Sequence, residues 1–178
     1  GLPLWLPKGY FVRRLLEDYI YQIEREAGFF HVLTPHLAKE DLYRTSGHLS
    51  HYAEDMYAPI DIEGEKYYLR PMNCPHHHMI YSVKPRSYRD LPMRLAEFGT
   101  VYRHERSGVL TGLIRVRGFT QNDAHIYTSE DRLADELINI LRLQTLVFKQ
   151  DFHITDYWYR LSLPDFKNKE KYGDKPEL

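Results

Sequence analysis

Apolar residues recur at three- and four-residue intervals from Val12 through Leu15, Leu16, Tyr19 and Ile23 to Ala27, and Gly28 follows. That period predicts an amphipathic helix that starts after an irregular Gly1–Gly9 lead-in and is capped by the glycine. Phe29 to Thr34 then reads as a strand ending at Pro35, and His36 to Thr45 as a short helix. Met56–Ile62 and Lys66–Arg70 predict a hairpin across Glu63-Gly64-Glu65. Pro75–Ser82 reads as a helix and Pro92–Phe98 as a strand, with Met93, Leu95 and Ala96 apolar. Two strand-like runs follow, Thr100–Glu105 and Ile114–Tyr127, joined by the Gly-rich loop Arg106–Leu113. Thr128 is placed to cap a helix reaching about Asp151, with Asp131 three residues on and a stripe of Leu133, Leu137, Ile140, Leu141, Val147 and Phe148. Thr155–Leu163 alternates like a strand, with Tyr157, Tyr159, Leu161 and Leu163 on one face, and Phe166–Leu178 reads as a frayed end. There is no internal repeat and no linker. Few helices around largely antiparallel strands predict an α+β domain over residues 1–178, an antiparallel sheet flanked by helices.

Composition narrows the class without naming it. At 178 residues the chain is long enough for one domain with a real core. A formal net charge of −1 makes it no general sponge for nucleic acid, so any such contact is local or comes from elsewhere. The single cysteine excludes an internal disulfide and fits a reducing compartment. No apolar run approaches membrane-spanning length and no signal peptide is visible, so the expected location is the cytoplasm. The 15 tyrosines suggest broad half-buried surfaces.

The candidate chemistry lies in the paired runs. Side chains two apart on a strand share a face, which groups Arg103 with Glu105 on the first run. On the second run it groups Arg115, Arg117, Phe119, Gln121, Asp123 and His125. Two arginines, an aromatic, an amide, a carboxylate and an imidazole are costly as core. They suit the floor of a pocket for a polar, anionic, aromatic ligand such as a phosphorylated nucleotide. Plainer readings stand beside this one. A strand arginine is ordinarily a surface ion pair, which is the expectation for Arg117, and a Gly-rich loop is ordinarily a hairpin connection. Cys74 and His125 lie too far apart for a short metal signature, and a lone cysteine is ordinarily a small buried hydrophobe. His76, His77 and His78 are adjacent, so on a helix they point in different directions and make a poor metal cluster.

Longer motifs connect these residues. Arg103-His104-Glu105 followed by Arg115-Val116-Arg117-Gly118-Phe119-Thr120-Gln121 resembles motif 2 of the class II aminoacyl-tRNA synthetases. Leu69-Arg70-Pro71-Met72-Asn73-Cys74-Pro75 with His77, Ser46-Gly47-His48, and Asp123-Ala124-His125 resemble elements of the threonyl-tRNA synthetases within that class. One departure is His76, where that family usually has glycine.

The resemblance implies an ATP-dependent ligase that activates threonine as an adenylate and transfers it to tRNA(Thr). Arg103 would be the catalytic group, binding an α-phosphate oxygen and the substrate carboxylate together. Glu105 would contact the adenine side of ATP, Arg115 would hold phosphates, and Phe119 would stack on the base. Met72 would line the amino-acid pocket, and Gln121 and Asp123 would hold the substrate amino group and hydroxyl. Cys74 and His125 match two of three zinc ligands, the third being a histidine beyond residue 178, and Mg2+ would accompany ATP. The helix and strand over Tyr10–Pro35 resemble motif 1, which implies a homodimer interface, and the loop 106–113 would approach the tRNA. A third motif with its late arginine is not found: Gly173 is the only late glycine, and Arg160 the only arginine after Arg142. An anticodon-binding domain is not found either. The expectation is therefore an incomplete catalytic domain, inactive in isolation. The competing reading is a synthetase-like binding or regulatory module without catalysis.

Overall fold

The computed structural model describes residues 1–160 and Ser162. The chain divides into two units, residues 1–137 and residues 138–178.

In the first unit, α1 spans Pro7–Glu26. It begins earlier than its apolar period suggests because Pro7 occupies the first turn, where a missing N–H costs nothing. Gly28 closes it, its N–H donating to the Arg25 carbonyl at 3.0 Å. β1 is Phe29–His31 and β2 is Leu37–Lys39, followed by α2 (Glu40–Thr45) and α3 (His48–His51). The helix expected over 36–45 is thus a strand followed by a helix. Leu37, Ala38 and Lys39 pair with Leu69, Tyr68 and Tyr67, and this long-range ladder overrides the local helical period. β3 (Ile60–Ile62) and β4 (Glu65–Leu69) form the expected hairpin. Its turn has positive φ at both Glu63 (55°) and Gly64 (84°), the conformation a tight two-residue hairpin requires.

α4 runs Cys74–Ser82, close to its predicted span. β5 (Met93–Tyr102) merges the two strands expected at 92–98 and 100–105 into one, and β6 (Gly118–Tyr127) pairs with it antiparallel along its length. β1 joins the other edge of β5 in parallel, so this sheet has the order β1-β5-β6. The second sheet, β2-β4-β3, is antiparallel.

The second strand run does not begin at Ile114. Between Tyr102 and Gly118 the ladder is reduced to an Arg103 N–H donating to the Arg117 carbonyl and a Thr111–Arg115 bridge. The Arg117 N–H turns instead to the Gly1 carbonyl. Arg115 and Arg117 therefore lie outside the strand whose face they were expected to share. Arg103 and Glu105 likewise follow the end of β5, joined by a tight turn in which the Glu105 N–H donates to the Arg103 carbonyl.

α5 starts at Leu133, after a short 3-10 turn at Glu130–Arg132. Thr128 does not cap it: its hydroxyl is buried with no partner among the described residues. The helix continues as a π-helical turn over Leu146–Asp151, so its end agrees with the expectation. In the second unit, residues 155–160 and Ser162 form no strand. An alternating pattern makes a strand only when a ladder partner takes its backbone groups. Tyr157 instead meets the Phe148 ring at a tilt and the Tyr159 ring edge to face, with ring centroids 6.0 and 5.4 Å away. The remainder of the expected strand, and the frayed end at 166–178, lie outside the described residues.

Candidate active site

Antiparallel register assigns the faces of the β5–β6 pair. Leu95 opposes His125, Glu97 opposes Asp123, Gly99 opposes Gln121 and Val101 opposes Phe119. Directly opposed residues share a face, so Phe119, Gln121, Asp123 and His125 line one surface, as the period-two reading predicts. The other surface receives α1: Arg13 donates to the Thr120 hydroxyl and Asn122 to Glu24, both at 3.0 Å.

α4 lies against the site face. Its first turn carries Cys74 and Pro75, and Asn73 precedes it without capping it. The Asn73 side chain is fully buried and donates from Nδ2 to Asp123 Oδ2 at 3.0 Å. Asn73 also fixes the residue beneath it. A Cβ at Gly99 would come within 2.3 Å of Asn73 Oδ1, so only glycine lets this side chain lie flat on the sheet.

Glu97 is the centre of the buried polar network. It accepts from the Thr34 N–H (3.0 Å) and hydroxyl, from Arg70 Nη1 (3.1 Å) and from His77 Nε2 (3.0 Å). Burial alone would raise its pKa. The bonds from His77 and Thr34 and the Arg70 charge prevail and hold it down to about 2. Arg70 also donates from Nε to the Thr100 carbonyl at 2.6 Å and from Nη1 to the Thr34 hydroxyl. His77 bonds His125, Nδ1 to Nδ1, at 2.9 Å.

Of the three adjacent histidines only His76 turns away; the His77 and His78 rings both meet His125, at centroid distances of 4.7 and 5.5 Å. His77 faces Glu97 and His125, and His78 bonds the Tyr127 hydroxyl at 2.9 Å. His76 is buried beside the Tyr43 ring, their centroids 6.4 Å apart. The histidine that replaces the resemblance's glycine is thus enclosed beside an aromatic ring, with neither ring nitrogen hydrogen-bonded among the described residues.

Cys74, in the first turn of α4, lies near Asp123, and His125 shares the sheet face of Asp123. Burial and the nearby Asp123 carboxylate raise the Cys74 thiol pKa, with Arg103 acting in the opposite sense. Cys74 in turn adds to the burial that raises the Tyr127 phenol to about 12. His125 is lowered, first by burial and then by His77 and His78, against Asp123. Among the described residues no three His, Cys, Asp or Glu groups converge as a metal site.

At the open end of the sheet, the Arg103 guanidinium sits 5.2 Å from the Phe119 ring centroid and donates from Nε to the Pro71 carbonyl at 3.3 Å. Met72 is half-buried between Pro71 and Asn73. Arg115 pairs with Glu105 through Nε and Nη2, both at 3.0 Å. Arg117, read as a surface ion pair, instead braces the loop: it donates to the Glu105 carbonyl at 2.9 Å and to the Ser107 hydroxyl at 3.3 Å. A cavity of about 1260 Å³ lies on the opposite face, between α1 and the sheet, and reaches Arg103, Glu105 and Phe119 only at its end. Its wall there is largely apolar, through Leu2, Trp5, Val12 and Leu16, so the convergent polar groups rather than the cavity mark the chemistry.

Sequence reasoning gave no role to Arg70, Asn73, His77 or Glu97. One signal was available for Glu97: it shares its strand parity with Leu95 and Val101, and a charge in phase with a buried apolar row predicts a paired buried group.

The residues 57–177 match the tRNA synthetase class II core domain (G, H, P, S and T). The whole chain is 51% identical to a threonine–tRNA ligase of Halalkalibacterium halodurans, spanning 27% of that protein's length. In three dimensions it resembles the RNA binding domain of threonyl-tRNA synthetase from Cryptosporidium parvum Iowa II. There the TM-score is 0.81 at 40% identity, over 84% of this chain and 37% of that one. It equally resembles a putative threonyl-tRNA synthetase, ThrRS-1, from Aeropyrum pernix. The TM-score is again 0.81, at 38% identity over 86% of this chain and 33% of that one.

Proposed function

Because the chain belongs to the class II tRNA synthetase core domain family (G, H, P, S and T), we propose that it contributes the activating face of a threonine–tRNA ligase. The observation that carries this reading is one sheet face holding Arg103 over Phe119 and Asp123 braced by Asn73, with His125 on the same face and Cys74 near Asp123. The substrates are threonine, ATP and tRNA(Thr). The activity is proposed for a protein with the full length of its relatives, of which this chain spans about 27%.

Adenylate formation needs no protein nucleophile, because the threonine carboxylate attacks the α-phosphate. The protein positions two anions and stabilises charge as it builds on the phosphate. Arg103 suits that role. Its planar fork binds an α-phosphate oxygen and the carboxylate together, and its present contacts, a ring face and one carbonyl, are weak enough to exchange. Phe119 offers a face for the adenine, and Glu105 with Arg115 form a rim for the base and phosphates, with Mg2+ accompanying ATP. Asp123, oriented by Asn73, accepts from the substrate amino group and hydroxyl, with Gln121 beside it on the same face and Met72 against the side chain.

The donor set fits zinc. Cys74 and His125 would hold the ion, which supplies a Lewis-acid seat for the threonine hydroxyl. The third protein ligand is expected beyond residue 178. Burial keeps the His125 imidazole neutral, the form that ligates, whereas the raised Cys74 thiol would have to release its proton to the solvent as the metal binds. An apolar pocket separates threonine from isosteric valine by only about 10²-fold, so a group that must be ligated by the hydroxyl adds selectivity.

A homodimer through Tyr10–Pro35 accompanies this reading. Phe11, Leu15, Phe30 and Leu33 are exposed there, an apolar surface that association would cover. Among the described residues no helix is long and apolar enough to cross a membrane.

The test is threonine-dependent ATP–pyrophosphate exchange in the full-length protein. Arg103→Ala is expected to slow it roughly 10²–10³-fold, as loss of one transition-state charge stabiliser does. Arg117→Ala, which removes only a loop brace, is expected to do much less. Equal losses would show that the pocket face has been misassigned.

A further inference from the structure

A buried row of hydrogen bonds runs from Glu97 through His77 to His125, and nothing in the proposed chemistry yet uses His77. Glu97 and His77 are both fully buried, and His125 is half-buried at the end of the row. The contacts are Glu97 Oε2 to His77 Nε2 at 3.0 Å and His77 Nδ1 to His125 Nδ1 at 2.9 Å. The rings of His77 and His125 meet edge to face, with centroids 4.7 Å apart, so the second contact lies within a packed pair and not at a loose surface.

The direction of each bond follows from its first member. Glu97 receives the Thr34 N–H and hydroxyl and the Arg70 guanidinium, and these keep it an anion that only accepts. His77 must therefore donate from Nε2. An imidazolium at His77 would donate from both nitrogens and leave His125 with its N–H on Nε2; taken as a neutral imidazole with one N–H, His77 is left with Nδ1 as an acceptor. His125 must then donate from its own Nδ1, and its single N–H is used. Its Nε2 is left with a bare lone pair, the form in which an imidazole binds a metal.

We propose that His77, anchored by Glu97, is a positioning residue that holds His125 in the Nδ1–H tautomer and so keeps Nε2 as its donor atom for the metal. The inference rests on the zinc reading above for the identity of that metal. It also gives the buried Glu97 a role besides its ion pair with Arg70: the carboxylate sets a proton position two side chains away. Metal ligands are commonly oriented through their second nitrogen by a carboxylate or carbonyl; here an imidazole is interposed between carboxylate and ligand.

The experiment uses the full-length protein, freed of metal and titrated with Co2+ and with Zn2+ alone. The thiolate-to-cobalt absorption reports Cys74, and histidine-selective 15N labelling reports the tautomer of His125 before metal is added. The wild type is expected to show His125 as Nδ1–H. His77→Leu is expected to scramble that tautomer and to weaken both metals roughly 10–100-fold, the usual effect of losing such a partner. His77→Asn places an amide oxygen near the old Nδ1 and is expected to recover most of the affinity, which a merely space-filling role for His77 would not explain. An Nε2–H tautomer in the wild type overturns the proposal. So does His77→Leu binding both metals within about twofold of wild type. If the wild type binds neither metal, the zinc reading falls, while an Nδ1–H tautomer that disappears in His77→Leu still upholds the positioning role.

Discussion

The two sides of the β1-β5-β6 sheet reverse the usual distribution of polar and apolar groups. On the site face an arginine, a glutamate, an asparagine and a histidine are shut away from water, with Arg70, Asn73, His77 and Glu97 all fully buried. On the α1 side, large apolar groups stand in water: Phe11 is 64%, Leu15 54% and Leu33 86% exposed. Neither arrangement is favourable in isolation. The first is held by the matched bonds of Glu97, Arg70 and His77, although the buried Asn73 Oδ1 has no hydrogen-bond partner among the described residues. The second becomes stable only when something covers it. Buried polarity here marks a site that must not move, and exposed apolarity marks a surface meant to be joined.

Breaking the buried side should have the largest effect. Arg70→Ala leaves Glu97 buried without its cation, and it is expected to lower stability by ~3–5 kcal/mol in urea unfolding. The same network predicts an acid limb. Glu97 titrates near 2 in the fold against an ordinary 4.5, so the unfolded chain binds the extra proton between those values. Its contribution is therefore complete above pH ~4.5 and is lost as pH falls toward 2. In Glu97→Gln the slope of stability against pH through that window should flatten. An unchanged slope would mean that the carboxylate is not the acceptor described.

Gly99→Ala comes next. The new methyl meets Asn73 in a packed layer, and overpacking of this kind costs about 1–3 kcal/mol. Because Asn73 orients Asp123, threonine binding measured by calorimetry should weaken more than ATP binding. Equal weakening of the two would mean that Asn73 is only filler.

Much of this contrast is legible in the chain, and the part that is not has a common cause. The α1 stripe and the Phe119–Gln121–Asp123–His125 face follow from periods of 3.6 and 2, which depend on neighbours only. The Glu97 network does not, because its members at 34, 70, 77 and 97 are brought together by two sheets and a helix. Arg115 was misplaced because the strand period was extended past Gly118, where the Gly1 carbonyl takes the Arg117 N–H. β2 was hidden for the same reason as Glu97, since its pairing partner lies at 67–69.

On the apolar side the expected effects on the single chain are small. Leu15→Glu removes no buried contact, so its intrinsic stability should stay within ~0.5 kcal/mol of wild type. Sedimentation should nonetheless show dissociation if this face is the dimer surface. A Leu15→Glu protein that remains associated would place the interface elsewhere. The smallest effect belongs to the exposed Arg14 pairs with Glu17 and Asp18. Arg14→Ala is expected to cost no more than ~0.5 kcal/mol and to lose that effect in high salt.

The parallel pairing of β1 with β5 also has a kinetic consequence. β5 and β6 are joined by one loop, so their long ladder can close early by local search. β1 must reach β5 across the whole segment that carries the second sheet and α4, pairing residue 29 with residue 94. Substitutions in the β5–β6 ladder should therefore slow refolding, whereas substitutions in β1 should chiefly speed unfolding. The strand beside the apolar surface would be the last to join the sheet, and during synthesis it would wait for its partner while α1 is already exposed.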